Sequence, residues 1–155
     1  MSDYHSIECE QQLLGAVLMN NAAFSVVDDI VDAKHFFEPI HRDICGVCAS
    51  LIRLGKLCSP VTLKTFLPAE TKVGDMSLRE YVALLAVEAT TIINAPDFAR
   101  LIRDHADRRL MREVATEVLE TREPDNLKLA AWVVDNYDGI VAAQSMSGAP
   151  AVNMD

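Results

Sequence analysis

The stretch PDFARLIRDHADRRLMREVATEVLETR, residues 96–122, decides the fold, together with the turn Glu123-Pro124-Asp125-Asn126 and the return stretch LKLAAWVVDNYDGIVAA, residues 127–143. In the first arm Phe98, Ile102, Ala106, Leu110, Val114 and Val118 recur at four-residue steps, and Met111, Ala115 and Leu119 form a second ridge beside them. At about 100° per residue these ridges share one side of a long helix, and between residues 110 and 119 they cover about half its circumference. The return arm places Leu127, Leu129, Ala130, Val133, Val134, Tyr137, Ile140 and Val141 on a face of similar width. One antiparallel partner does not bury faces this broad, so the pattern predicts a helical hairpin with apolar surface left for a further neighbour. Trp132 falls on the other side of the return helix, near Lys128, Asn136 and Gly139. A tryptophan there either folds down on its own helix or joins an interface, where its area and single donor are favoured. The hairpin's excess of apolar surface favours the interface.

Upstream, the punctuation is helical throughout. Ser6 is an N-cap for a helix to about Met19, with Leu13, Leu14, Val17 and Leu18 as its buried face and Glu8 and Glu10 at the positive end of the dipole. Asn20-Asn21 breaks it, and a second helix carries Phe24, Val26, Val27, Ile30 and Val31. His35-Phe36-Phe37-Glu38-Pro39 is an apolar connector, and Pro39 admits a third helix to about Leu54, ended by Gly55. Ser59-Pro60 starts a short helix with Leu63, Phe66 and Leu67, which Pro68 stops; a polar loop with Gly74 follows. Ser77-Leu78-Arg79-Glu80 is a capping box, predicting a helix to about Val87. The β-branched run Thr90-Thr91-Ile92-Ile93 has no second strand to pair with and is expected to be a packed connector. Asn94 then caps the long helix, with Pro96 in its first turn, where a missing N–H breaks no helical bond. The expected fold is all-α: a helical head of five to six helices over residues 1–95, the hairpin of the same domain over 96–144, and a tail or linker over 145–155.

Half of the 155 residues are hydrophobic and 6% aromatic, and a domain of this length can bury roughly 70% of its unfolded surface. No apolar run reaches the roughly 18–20 residues of a membrane span. Asp3, Glu8 and Glu10 stand where a signal peptide needs cationic and apolar residues, so a cytoplasmic setting is expected. Fourteen Lys and Arg against 23 Asp and Glu leave a net charge of -9, which opposes binding to a phosphate backbone. The arginines of the long helix are matched by acids, with Arg100/Asp104, Arg103/Asp107 and Arg109/Glu113 four apart, the spacing of ion pairs on a solvated helix face. Direct DNA binding is not expected.

Chemistry-bearing motifs are sparse. Gly55-Lys56 is followed by Leu57, with no glycine five residues before it, so there is no phosphate loop. Nucleophile-elbow, paired-histidine zinc and dinucleotide-glycine patterns are also missing. Cys45-Gly46-Val47-Cys48 has redox-motif spacing, and His41 one turn earlier extends it toward a metal set. However, His41, Cys45 and Cys48 share a stripe with Ile44, Leu51 and Ile52, which reads as a core face. Cys9 and Cys58 do not supply the second pair of a zinc module, so buried reduced cysteines are the preferred reading and a metal or redox protein the alternative. His5, His35 and His105 are scattered and have no nucleophile at a useful spacing.

The first helix, Ser6-Ile7-Glu8-Cys9-Glu10-Gln11-Gln12-Leu13-Leu14-Gly15, resembles the opening S-x-E-A-E-Q-x-x-L-G of DnaB-type replicative DNA helicases. The likeness continues through Phe36-Phe37, His41-Arg42-Asp43-Ile44, Val61-Thr62-Leu63, Tyr81-Val82-Ala83-Leu84-Leu85, Asn94 and the long helix with Arg108-Arg109-Leu110-Met111-Arg112-Glu113. Departures are Cys9 where alanine is common, and Asp75-Met76 where a second glycine and a small or apolar residue are common. The resemblance implies the helicase's N-terminal domain, a helical head plus hairpin. In that family the hairpins pair between subunits, the domains form a collar on a hexameric ring, and primase docks on them.

On this reading the chain is non-catalytic and has no cofactor of its own, ATP and Mg belonging to a C-terminal motor that would follow the linker. Self-association, primase and a helicase loader are the expected partners. Leu110, Val114, Val118, Val134, Tyr137 and Val141 are expected in the hairpin and dimer core, with Met111, Leu119 and Trp132 as outward contacts. The alternative is a complete small regulator that binds a helicase, loader or primase.

Overall fold

The computed structural model describes residues 4–89 and 93–147. Among the described residues seven helices occur, in the order α1 (Ile7–Met19), α2 (Ala22–Ser25), α3 (Pro39–Arg53), α4 (Pro60–Leu63), α5 (Leu78–Glu88), α6 (Ala95–Glu120) and α7 (Asn126–Ser147). A single 3₁₀ turn (Ala33–His35) precedes α3, and two short strands, β1 (Lys72–Val73) and β2 (Met76–Ser77), separate α4 from α5. The fold is all-α, as expected. The chain divides into two compact units, Met1–Ala106 and Asp107–Asp155. That division lies inside α6, eleven residues beyond the boundary expected from the sequence. Thr90, Thr91 and Ile92, expected as a connector, and most of the expected tail lie outside the described residues. α7 runs to Ser147, past the expected end near Ala143.

In the first unit α1 packs against α5 and α3. The Ser6 hydroxyl accepts from the Cys9 N–H at 3.2 Å, capping α1, and Leu13, Leu14, Ala16, Val17 and Leu18 are buried beneath it. Gly15 sits at the crossing with α5. A Cβ there would run into the Leu85 carbonyl oxygen and lie 2.9 Å from the Ala89 Cβ, so the helices approach closely only because this position has no side chain. Phe36, Ile44, Leu63 and Leu85 complete the centre of the core, each contributing about 1.5–3 kcal/mol of burial energy before entropy is counted.

The caps follow the sequence. Pro39 occupies the first turn of α3, and Gly55 at φ +73° closes its end. The Gly55 N–H donates to the Ile52 carbonyl at 2.9 Å and the Lys56 N–H to the Leu51 carbonyl at 2.8 Å, the paired bonds of a Schellman motif. Ser77 and Glu80 form the reciprocal capping box, at 3.2 and 2.9 Å.

Two expectations change. The second helix has a single regular turn; from Val26 to Val31 the backbone continues as overlapping turns, with the Val27 and Asp28 N–H groups both donating to the Phe24 carbonyl. Phe24, Val27 and Val31 are still buried, so the apolar spacing identified the inward residues although the β-branched valines and Asp28-Asp29 do not sustain a helix. The polar loop around Gly74 is a small antiparallel hairpin, with Lys72 opposite Ser77 and Val73 opposite Met76. Gly74, at φ +61°, and Asp75 make its two-residue turn.

Candidate assembly surface

The second unit contains the end of α6, the turn and α7. The turn is built by short polar side chains: Thr121 Oγ1 accepts from the Glu123 N–H at 3.2 Å, and Glu123 Oε1 from the Asp125 N–H at 3.1 Å. Asp125 Oδ1 then caps α7, accepting from the N–H groups of Leu127 and Lys128 at 3.0 and 3.2 Å. The two arms are joined by Tyr137, whose hydroxyl donates to the Met111 carbonyl at 3.2 Å.

Burial divides the apolar faces of this unit into two sets. Val114 is buried, and Leu110, Met111, Leu129, Val133, Tyr137 and Ile140 are half-buried. Leu119 is 85% exposed, Leu127 81%, Val141 62% and Val134 58%, and Val118 and Trp132 are also exposed, at 38% and 39%. Leu127, Val134 and Val141 are spaced by sevens, and seven residues fall about 20° short of two helical turns, so the three form one stripe along α7. This is the spacing with which a helix meets another helix. The sequence reading placed Val134 and Val141 in a hairpin and dimer core and Met111 outward; within this chain Met111 is the more enclosed and the two valines face out. The Trp132 carbonyl accepts from Asn136 Nδ2 at 2.8 Å, one turn on.

On the charged face of α6, Arg100 reaches back three residues to pair with Asp97 at 3.1 Å, Arg103 donates to the Ile30 carbonyl at 3.2 Å, and Asp107 is buried.

The cysteine and histidine residues singled out by spacing are distributed differently from their motif. His41 and Cys48 are buried on α3, whereas Cys45 is half-buried and lines a shallow cleft with Phe24, Asp32 and Arg53. Burial, with the Asp32 charge added, pushes the Cys45 thiol up to about 12. Cys48 meets Cys58 rather than Cys45, with 2.7 Å between the sulfurs. Among the described residues no group of three or more His, Cys, Asp or Glu side chains is placed to hold a metal. His5 stacks on Phe37 with centroids 4.1 Å apart, and His35 Nδ1 accepts from the Asp32 N–H at 2.8 Å.

Local sequence did not reveal a buried polar chain that joins α1, α3 and α5. The Glu10 carboxylate accepts from the Phe37 N–H, lies 3.4 Å from the Glu38 N, and is 3.2 Å from His41 Nδ1. His41 Nε2 is 2.6 Å from the Tyr81 hydroxyl, which accepts from Gln11 Nε2 at 3.2 Å. Since the Glu10 carboxylate can only accept, Nδ1 carries the proton given to it, and Nε2 of the neutral ring accepts from the Tyr81 O–H. Burial raises the Tyr81 hydroxyl above its usual range, which keeps it a donor. Arg42 continues the network, donating to the Phe36 and Phe37 carbonyls at 3.0 and 2.9 Å. Ser6, Glu10, Gln11, Gly15, Phe36-Phe37, His41-Arg42 and Tyr81, which carry the helicase resemblance, thus meet as caps, a close helix crossing and one hydrogen-bonded chain.

A family model described as the DnaB-like helicase N terminal domain matches residues 2–104, most of the first unit. The replicative DNA helicase DnaB of Rickettsia prowazekii (strain Madrid E) is 32% identical over 126 residues, covering 81% of this chain and 26% of the relative. That of Pasteurella multocida (strain Pm70) is 29% identical over 117 residues, covering 76% of this chain and 25% of the relative. The chain therefore spans about a quarter of the length of these curated relatives. Among solved structures, the N-terminal domain of DnaB helicase from Mycobacterium tuberculosis matches with a TM-score of 0.74 at 21% identity, covering 86% of this chain and 97% of that one. With the family model spanning well over half of its residues and the same fold in a solved relative, this chain belongs to the family of DnaB-like helicase N-terminal domains.

Proposed function

We propose that this chain is the non-catalytic assembly and docking part of a hexameric replicative DNA helicase, its hairpins pairing between copies to form a collar on which primase, and a helicase loader, dock. ATP, Mg and DNA translocation belong to a C-terminal motor in the parent protein. The matched stretch is about a quarter of relatives that are named replicative DNA helicases, which supports this placement. The observation that carries the assembly role is the Leu127, Val134 and Val141 stripe, together with Leu119, open along the hairpin. In this reading Leu110, Met111, Val114 and Tyr137 hold the arms together, and Val118, Leu119, Trp132, Val134 and Val141 meet the second copy. Burying an exposed Leu or Val contributes about 1.5–3 kcal/mol, and several are needed to overcome the roughly 4–15 kcal/mol cost of association.

Sedimentation velocity over a range of concentrations tests this. Self-association is expected, weakened by Trp132→Ala and by Val118→Asp, while circular dichroism of the variants stays helical. A monomer at high micromolar concentration, with Trp132 emission typical of an exposed indole, would overturn the assembly role. Co-sedimentation with purified primase tests docking separately.

A further inference from the structure

The contact between Cys48 and Cys58 is unused by the assembly role. Cys48 lies in the last turns of α3 and Cys58 just before α4, ten residues later; both are buried, at 2% and 0% exposure, with 2.7 Å between their sulfurs. A disulfide needs about 2.05 Å, so closure asks for a movement of under an ångström. The backbone of Cys58 is already fixed for it. Asn21 holds that residue from both sides, its Oδ1 accepting from the Cys58 N–H at 2.9 Å and its Nδ2 donating to the Cys58 carbonyl at 2.7 Å. The same Nδ2 donates to the Val17 carbonyl at 2.8 Å, anchoring the clamp on α1. Cys45 is the competing partner suggested by the sequence spacing, but the sulfur that Cys58 meets is that of Cys48.

We infer that Cys48 and Cys58 form an oxidation site, closing to an intramolecular disulfide when the protein meets a peroxide. The two thiols are unequal: the hydrogen bond between them raises Cys48 and lowers Cys58, while burial raises both. Cys58 is therefore the nucleophile. Its thiolate attacks one peroxide oxygen, the O–O bond breaks, and hydroxide leaves to take up the proton that Cys58 released. The Cys58 sulfenic acid is then displaced by the Cys48 sulfur, whose proton leaves with the hydroxyl group as water. Two thiols and one hydrogen peroxide give one disulfide and two waters. The link would brace the exposed segment 54–57 between the end of α3 and the Asn21 clamp.

The test treats the folded chain with hydrogen peroxide, alkylates the remaining thiols after denaturation, and maps tryptic peptides without reduction. The expected product joins the peptides spanning 43–53 and 57–64, persists in Cys45→Ser, disappears in Cys58→Ser and Cys48→Ser, and raises the thermal midpoint by several degrees. Recovery of both peptides unlinked and fully alkylated would overturn the proposal. So would a link that survives in Cys48→Ser, which would be made by Cys45, or one that forms only with loss of helicity. The wild-type map decides between linked and unlinked, and fragment-ion sequencing of the linked peptide shows whether Cys45 or Cys48 carries the alkyl group, so the outcome does not depend on the serine variants folding.

Discussion

Replacing Gly15 by alanine sets two physical effects against each other. Gly15 lies inside α1, where alanine is favoured over glycine by about 0.5–1 kcal/mol because glycine loses more freedom on folding. Against that, a Cβ at this site would collide with the Leu85 carbonyl oxygen, lie 3.1 Å from the Leu85 carbonyl carbon and 2.9 Å from the Ala89 Cβ. None of these atoms is at the end of a flexible side chain, so relief requires α1 and α5 to move apart over the tightest part of the core. Overpacking of this kind costs typically 1–3 kcal/mol, and a backbone obstacle belongs at the upper end. The expected net is a loss of about 2 kcal/mol, about a thirtyfold fall in the folded-to-unfolded ratio. Urea denaturation followed by circular dichroism measures it, with the midpoint falling and the slope unchanged. Gly46→Ala is the internal control: it is also helical, but its Cβ would meet nothing nearer than the Ala33 Cβ at 4.0 Å, so it should gain up to about 1 kcal/mol. A Gly15→Ala protein as stable as Gly46→Ala would refute the close crossing of α1 and α5.

Glu10→Ala leaves the His41 Nδ1–H and the Phe37 and Glu38 N–H groups without their buried acceptor. A loss of about 3 kcal/mol by the same urea assay is expected, and a loss under about 1 would mean the chain contributes little. Cys45 has its folded value raised from 9.0 to about 12, so the unfolded chain releases this proton first as pH rises. Its contribution is complete below about pH 8.5 and is lost progressively toward pH 12. Cys45→Ala should therefore show a shallower decline of stability than the parent between pH 8.5 and 11, and parallel curves would contradict the assignment. Asp125→Ala removes the cap of α7 at a cost of about 1 kcal/mol, read as faster hydrogen exchange at Leu127 and Lys128.

Capping and turn chemistry was legible because it is local. Ser6, Pro39, Gly55, Ser59, Ser77 and Glu80 act within four residues of themselves, and each does what its position suggested. Gly74-Asp75 was equally local. Between Val73 and Met76 it is a two-residue hairpin turn whose flanking strands, two residues each, are too short to show alternation in the sequence. The Glu10, His41 and Tyr81 chain was not legible, since its members are separated by 31 and 40 residues. A buried carboxylate on α1 looks from sequence like any acidic residue in a first turn. Likewise the spacing of Cys45 and Cys48 drew attention to a pair on one helix, whereas the partner of Cys48 arrives from the far side of the Gly55 turn. Hydrophobic spacing marks both broad faces of the hairpin but not which half of each is covered within the chain: Val114 is buried, whereas Val118, Val134 and Val141 are exposed.

The directed chain from Gln11 through Tyr81 and His41 to Glu10 also bears on how this lineage can change. Each member depends on the next for its hydrogen bond, so a substitution at one position leaves its buried neighbour without a partner. The hairpin's outer stripe carries no such dependency: Leu119, Leu127 and Val134 can each be exchanged with little cost to the isolated chain. Two proteins can share every residue by which this family is recognised and still have parted company in the partners they keep.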